Sequence, residues 1–157
     1  SGDQASSESA WLHALDHIER ETSTVDLVVA PQVTSPLREP SDISSALKDM
    51  QARELDSLMT VAEIEDFFMW RLNGEGHPEP VNYDYQNRKP RQLIEKRFLE
   101  NGSFYIFSPK ILRKCKNRLG GKIGFKIMEK YKMFQIDNIE DVRLCEVVMR
   151  GYGMDSI

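Results

Sequence analysis

The stretch from Val25 to Arg38 leaves this chain few architectures to choose from. Leu27 to Ala30 is a short apolar run bounded by polar and proline-rich sequence, which predicts a buried strand in a parallel sheet. Pro31 to Arg38 then gathers two prolines, the amide of Gln32, the hydroxyls of Thr34 and Ser35, and a guanidinium. A polar loop at the carboxyl end of a strand is where open α/β sheets bind ligands. Ser41-Asp42 offers an N-cap for a helix with Ile43, Ala46, Leu47 and Met50 on one face. The stretch therefore reads as strand, loop, helix, with its chemistry in the loop.

The remaining pattern continues the alternation. Ser6 and Ser7 precede a helix with Trp11, Leu12, Leu15 and Ile18 at helical spacing. His13 and His17 sit four apart with no carboxylate at the catalytic position between them, so they read as solvent-facing. Ser57 to Ala62 and Phe67 to Leu72 are expected strands. Residues 63–100 look like an excursion from the sheet. Phe67, Phe68, Trp70, Tyr83 and Tyr85 are more aromatic surface than a lone hairpin buries, which points to packing on the sheet or on a second subunit. Asn101-Gly102 signals a tight turn, followed by a strand over Ser103–Phe107. Ser108-Pro109 starts a helix that Gly120-Gly121 breaks. Ile123–Met128 and Met133–Asp137 are further expected strands. Asn138 caps a last helix whose stripe is Val142, Cys145, Val148 and Met149, ending at Gly151.

With 157 residues, 40% of them hydrophobic, this is a one-domain α/β chain. No secretory signal and no apolar run of membrane-spanning length is present. Cys115 and Cys145 fall on predicted helices among apolar neighbours, as buried thiols of a reduced, cytoplasmic compartment. The net charge of −4 hides an asymmetry: residues 1–66 carry 14 acids and 4 bases, residues 67–157 carry 11 acids and 17 bases. The basic part peaks between Lys110 and Lys132, where Glu129 is the lone acid. Such a field favours anionic ligands, whereas any single lysine in it is most simply a solvated side chain.

Four ordered segments resemble the CMP-sialic acid synthetases, the acylneuraminate cytidylyltransferases. Ser1-Gly2-Asp3-Gln4-Ala5-Ser6-Ser7 with His13-Ala14-Leu15 is similar to the family's Gly-Asp-x-Ala-Ser-Ser segment and following helix. Gln32-Val33-Thr34-Ser35-Pro36-Leu37-Arg38 resembles its Gln-Pro-Thr-Ser-Pro-Leu-Arg loop, with Val33 in place of proline. Pro90-Arg91-Gln92 and Asn101-Gly102-Ser103-Phe104-Tyr105-Ile106 resemble its Pro-Arg-Gln and Asn-Gly-x-Ile-Tyr-Ile stretches. Phe134 to Asp141 resembles Ile-Asp-Ile-Asp-x-x-x-Asp, with Gln135 at the first aspartate. The family's Arg/Gly/Lys-rich loop, which cradles the CTP phosphates, precedes the first of these segments, so the resemblance covers the family without its amino-terminal portion.

The resemblance implies a three-layer, Rossmann-like nucleotidyltransferase fold, partial, with a mainly parallel sheet and a small β-rich excursion for subunit contact. It implies transfer of the CMP group from CTP to a sialic-acid-like, nine-carbon sugar, with release of pyrophosphate and help from Mg2+. By the same resemblance Gln32 and Ser35 touch sugar or nucleotide, and Arg91 with Gln92 faces the sugar carboxylate or the phosphates. Asn101 and Tyr105 line the sugar pocket, Asp137 holds the magnesium, and Asp137 and Arg91 are the catalytic pair. Homo-oligomerisation is expected through Phe67, Phe68, Trp70 and Tyr83, with no membrane and no nucleic acid as partner.

Each of these residues also has a plain structural role to play. Gln32 and Ser35 can cap the loop, and Arg91 can be a surface arginine. Asn101 can make a turn, Tyr105 can be a core tyrosine with a satisfied hydroxyl, and Asp137 can complement a helix dipole. Three functions compete accordingly: part of a cytidylyltransferase, a catalytically silent sugar-binding or self-association module, and, last, a nucleic-acid binder through residues 110–132. The third lacks aromatic residues interleaved with its bases.

Overall fold

The computed structural model describes residues 6–65 and 67–155, and of Arg91 the backbone alone. The chain divides into two compact units, residues 1–62 with 100–157, and residues 63–99.

The larger unit is built on a four-stranded sheet. Its strands are β1 (Val28–Pro31), β2 (Ser57–Ile64), β5 (Arg97–Phe107) and β6 (Ile123–Met128), in the order β1-β5-β2-β6. β1 runs antiparallel to β5, pairing Ala30 with Tyr105, and β2 runs parallel to β6, pairing Thr60 with Lys126. The sheet is thus mixed, and β1 is its edge rather than a buried parallel strand. Its short apolar run accordingly buries only Ala30, because an edge strand has one covered side.

Side-chain alternation along β5 sorts the core into two halves. Phe104 and Ile106 pack with Ala46 and Met50 of α2 (Pro40–Ala52), Leu58 and Met128. Tyr105 and Phe107 point the other way, onto Leu15 of α1 (Ser7–Glu21) and Leu112 of α3 (Pro109–Cys115). Helix, sheet and helix therefore make the three layers that the strand-loop-helix pattern implies. α4 (Ile139–Gly151) completes the unit, with Cys145 its buried residue.

Local sequence sets the helix starts. Ser6 Oγ accepts from the Ser9 amide, Ser108 Oγ from the Ile111 amide, and Asn138 Oδ1 from the Glu140 and Asp141 amides. α2 begins earlier than Ser41-Asp42 suggests: Pro40 takes the first helical position and Glu39 the N-cap, while the Asp42 carboxylate accepts from the Glu39 amide at 2.8 Å. Ile18 lies outside the α1 stripe and is exposed.

Further expectations change. The helix begun at Ser108-Pro109 ends at Cys115, before Gly120-Gly121, and Cys115 is exposed rather than buried. Asn101-Gly102 is no hairpin turn, because β5 runs through it and Gly102 absorbs the kink with a φ of 62°. Met133–Asp137 is no strand: Lys130–Met133 forms a 3-10 turn, and the extended residues after it make one backbone-to-backbone bond, Ile136 N–H to the Thr34 carbonyl at 2.7 Å.

The charge asymmetry is consumed inside this unit. Arg113 pairs with Asp16 and Glu19, Arg118 with Glu8, and Lys126 with Asp49. Bases of the second half thus clip the acidic first half onto the sheet, which leaves less of the 110–132 segment for an outside anion.

Residues 63–99 hold a short antiparallel pair, β3 (Trp70–Leu72) and β4 (Pro78–Pro80). Of the expected strand Phe67–Leu72, the part Trp70–Leu72 forms, within this excursion. The turn is fixed by Asn73, whose Oδ1 accepts from the Glu75 and His77 amides. The rings pack on one another: Phe68 on Tyr83 at 4.3 Å between centroids, and Trp70 on Tyr85 at 5.5 Å. Trp70 Nε1 donates to the Tyr83 hydroxyl, and the Arg88 guanidinium lies 4.2 Å over the Phe68 ring.

Candidate functional site

The polar loop after β1 is held by its own arginine. Arg38 Nη1 donates to the carbonyls of Gln32 at 2.9 Å, of Ser103 at 3.3 Å, and of Ser35. Burial of a guanidinium with carbonyls for partners pulls its pKa below the ordinary value. The Gln32 amide donates to the Ser103 carbonyl at 3.0 Å, so the loop continues the β1–β5 contact past the end of the strand. Ser35 is buried, and its hydroxyl donates to the Gly102 carbonyl at 3.2 Å. Gly102 is needed here for a second reason: a Cβ on it would sit 3.0 Å from the Gln135 amide nitrogen.

The third side of the site is the segment 134–137. Ile136 bonds to Thr34 as above, and Gln135 Nε2 donates to the Asn101 carbonyl at 2.8 Å. Asn101 itself is 1% exposed. Its Nδ2 donates to the Lys132 carbonyl at 3.3 Å and contacts Met128 Sδ, and its Oδ1 accepts from the Ser103 amide. Loop, β5 and segment 134–137 thus form one hydrogen-bonded surface. Gln32, Ser35, Asn101 and Asp137 come together on it.

Their side chains are not equally free. Ser35 and Asn101 are buried with bonded polar atoms, so they build the surface rather than face a ligand. Tyr105 belongs to the core, and its hydroxyl donates to Glu100 while the Arg118 guanidinium lies 4.6 Å over its ring. Burial first, and then the bond to the Glu100 carboxylate, push its pKa up to about 12. Outward-facing groups are Thr34, Val33 at 93% exposure, the half-buried Gln32 side chain, and Asp137. The Asp137 amide, like that of Asn138, donates to the Asp141 carboxylate, whereas the Asp137 carboxylate itself has no partner among the described residues.

A magnesium ion could be held here only by a small donor set. No group of three or more His, Cys, Asp or Glu suited to a metal exists among the described residues. Asp141 is spent on capping α4, and Gln135 uses its amide nitrogen on Asn101. One free carboxylate remains, which suits a cation that binds through one or two carboxylates, waters and substrate phosphates.

Arg91 and Gln92 lie in the smaller unit, on a 3-10 turn over Arg91–Leu93. The Arg91 side chain falls outside what the structure describes, as do residues 1–5 of the first resembling segment. Gln92 is exposed and borders a cavity of about 300 Å3 with Glu63, Ile64, Ile94, Glu95 and Lys96. A second cavity of the same unit, about 290 Å3, is walled by Phe68, Tyr83, Arg88 and Leu93.

Sequence reasoning passed over Arg38 and Lys132. Arg38 ends the loop motif and reads there as one of its ligand groups, whereas its partners are backbone carbonyls. Lys132 closes the basic run, and its apolar neighbours Tyr131 and Met133-Phe134 are the available signal of a buried charge.

No family model matches the chain. Among curated proteins it is 29% identical to the N-acylneuraminate cytidylyltransferase of Oncorhynchus mykiss over 154 residues, 94% of this chain and 35% of that protein. It is 25% identical to the N-acylneuraminate cytidylyltransferase A of Danio rerio over 128 residues, 80% of this chain and 30% of that protein. The chain therefore spans about a third of the length of these relatives. The resemblance read from the four segments is borne out. No helix among the described residues is long and apolar enough to cross a membrane.

Proposed function

We propose that this chain is part of a cytidylyltransferase that transfers the CMP group from CTP to a sialic-acid-like sugar and releases pyrophosphate. The observation that carries this reading is the hydrogen bond between Ile136 and Thr34, which sets the Asp137 segment against the Gln32–Arg38 loop. Two motifs about a hundred residues apart in sequence are thereby joined on one surface at the end of β1. Gln32 and Thr34 would orient the sugar or nucleotide there, and Ser35, Asn101 and Arg38 would keep the loop in shape. Asp137 would hold magnesium together with the substrate's phosphate oxygens. When bound, the ion would neutralise charge on the phosphates as pyrophosphate departs.

The test is a ligand titration of the 157-residue chain by NMR, with CMP-sialic acid and Mg2+. The expected result is salt-sensitive binding at roughly millimolar level, with the Thr34, Ile136 and Asp137 amides shifting together. Asp137→Asn should remove the magnesium-dependent part of those shifts. Shifts absent from all three amides at saturating ligand would overturn the reading.

A second reading, a self-association module, is favoured by the partly exposed rings of Phe67, Trp70 and Tyr85 beside Leu72 and Leu93. It predicts association in the ultracentrifuge through residues 63–99 and no ligand shifts at the loop.

A further inference from the structure

Lys132 is 1% exposed, yet it carries an ammonium. Its Nζ donates to Glu39 Oε2 at 2.8 Å, to the two oxygens of Asp42 at 3.1 and 2.9 Å, and lies 2.8 Å from Glu129 Oε2. Glu39 and Asp42 open α2, directly after the Gln32–Arg38 loop. Glu129 is local, three residues before the lysine. The Lys132 carbonyl accepts from Asn101 on β5, and three residues further on stands Gln135. One ammonium therefore joins the two limbs whose only other direct bond, among the described residues, is Ile136 to Thr34. Without it, Asp42 would be left buried and unneutralised beside two further carboxylates, and like charges would push the limbs apart.

We propose that Lys132 is a positioning residue, an ionic strap that fixes the Gln135–Asp137 segment against the Gln32–Arg38 loop and so sets where the Asp137 carboxylate stands. Its functional consequence rests on the cytidylyltransferase reading; the strap itself does not. The bonds to Glu39 and Asp42 span the two limbs, whereas the bond to Glu129 stays within one. Cross-limb partners should therefore govern the placement of segment 134–137, and the local partner should not.

The experiment is amide hydrogen exchange by NMR on the 157-residue chain, reading Ile136 against Phe104 and Ile106 in β5. Lys132→Met should speed exchange at Ile136 by about tenfold or more and leave the β5 amides unchanged. Lys132→Arg, which keeps the charge, should restore protection. Glu39→Gln should loosen Ile136 in the same sense, and Glu129→Gln should not. Since the Glu39 carboxylate is half-exposed, that variant remains decisive if Lys132→Met fails to fold. Ile136 equally protected in Lys132→Met or Glu39→Gln, or loosened only as far as β5 is, would overturn the strap. A CMP titration then reads the functional arm. Thr34 shifts present in the wild type and lost in Lys132→Met support positioning, and equal shifts in both overturn it. If the wild type shows no CMP shifts, the cytidylyltransferase reading fails while the exchange data still decide the strap.

Discussion

In the larger unit, the polar side chains that the sequence offers for chemistry are largely turned inward. Ser35 bonds Gly102, Asn101 bonds Lys132 and Ser103, and Arg38 gathers three carbonyls. In residues 63–99 the apolar groups are the ones out of place: Trp70 packs edge-on and tilted against Tyr83 and Tyr85 and is still 46% exposed. The difference separates two meanings of a motif. A polar residue in a ligand-type loop can serve by shaping the backbone that meets the ligand, because a buried amide left unbonded is costly. Rings that remain wet after packing on one another have no such internal account, and they point to a surface in use.

The largest effect should come from breaking the polar network. Asn101→Ala leaves the Lys132 carbonyl and the Ser103 amide without their side-chain partner, which should cost about 1–3 kcal/mol. A lowered urea midpoint checks it. Trp70→Ala should change the unfolding free energy by no more than about 0.5 kcal/mol and instead abolish concentration-dependent sedimentation. If the tryptophan variant is the one that melts, the contrast between the units is wrong.

Alkali gives a smaller effect in the same core. Tyr105 has its pKa raised to about 12 by burial and by its bond to Glu100, above the value near 10 of an exposed tyrosine. The unfolded chain therefore loses this proton first. Stability is unaffected below about pH 10 and falls as the pH rises from there toward 12. Spectrophotometric titration should show a late-ionising tyrosine that Tyr105→Phe removes. Its ionisation together with the exposed tyrosines would put the ring outside the core.

Much of the fold was legible because it rests on local chemistry. Ser108-Pro109 and Asn138 start their helices through short-range bonds, and the period-2 run of Phe104–Phe107 divides between the two faces of the sheet as apolar alternation requires. What stayed hidden depended on distant partners. Antiparallel pairing of β1 is a property of β5, and Gly102 with φ of 62° reads as a turn until a continuous strand is seen around it. Segment 133–137 has a strand's composition but makes only one backbone-to-backbone bond to a neighbour. For the site, proximity of the loop to Asp137 followed the resemblance. The commitment of Ser35 and Asn101 to internal bonds did not, since motif spelling is silent on which side a side chain faces.

The smallest effect concerns the acid limb of the Lys132 cluster, and it tests whether the network is as closed as its geometry suggests. The hydrogen bond from Lys132 is the largest influence on the Glu129 carboxyl and holds it below the ordinary carboxylate range. A group with its folded pKa depressed is protonated first in the unfolded chain. Its contribution is fully present above the unfolded value and is lost as the pH falls through the folded one. Glu129 is 58% exposed at its side chain, so water screens most of this attraction, leaving roughly 0.5 kcal/mol or less. Glu129→Gln should therefore lower the urea midpoint slightly at pH 7, by a difference that shrinks as the pH falls through the depressed range of this carboxyl. Glu39 and Asp42 remain on the ammonium in that variant, which is why the loss is small. A destabilisation that stays the same throughout acid titration would mean that the side chain acts through packing, and that the Lys132 charge is neutralised from the α2 side alone.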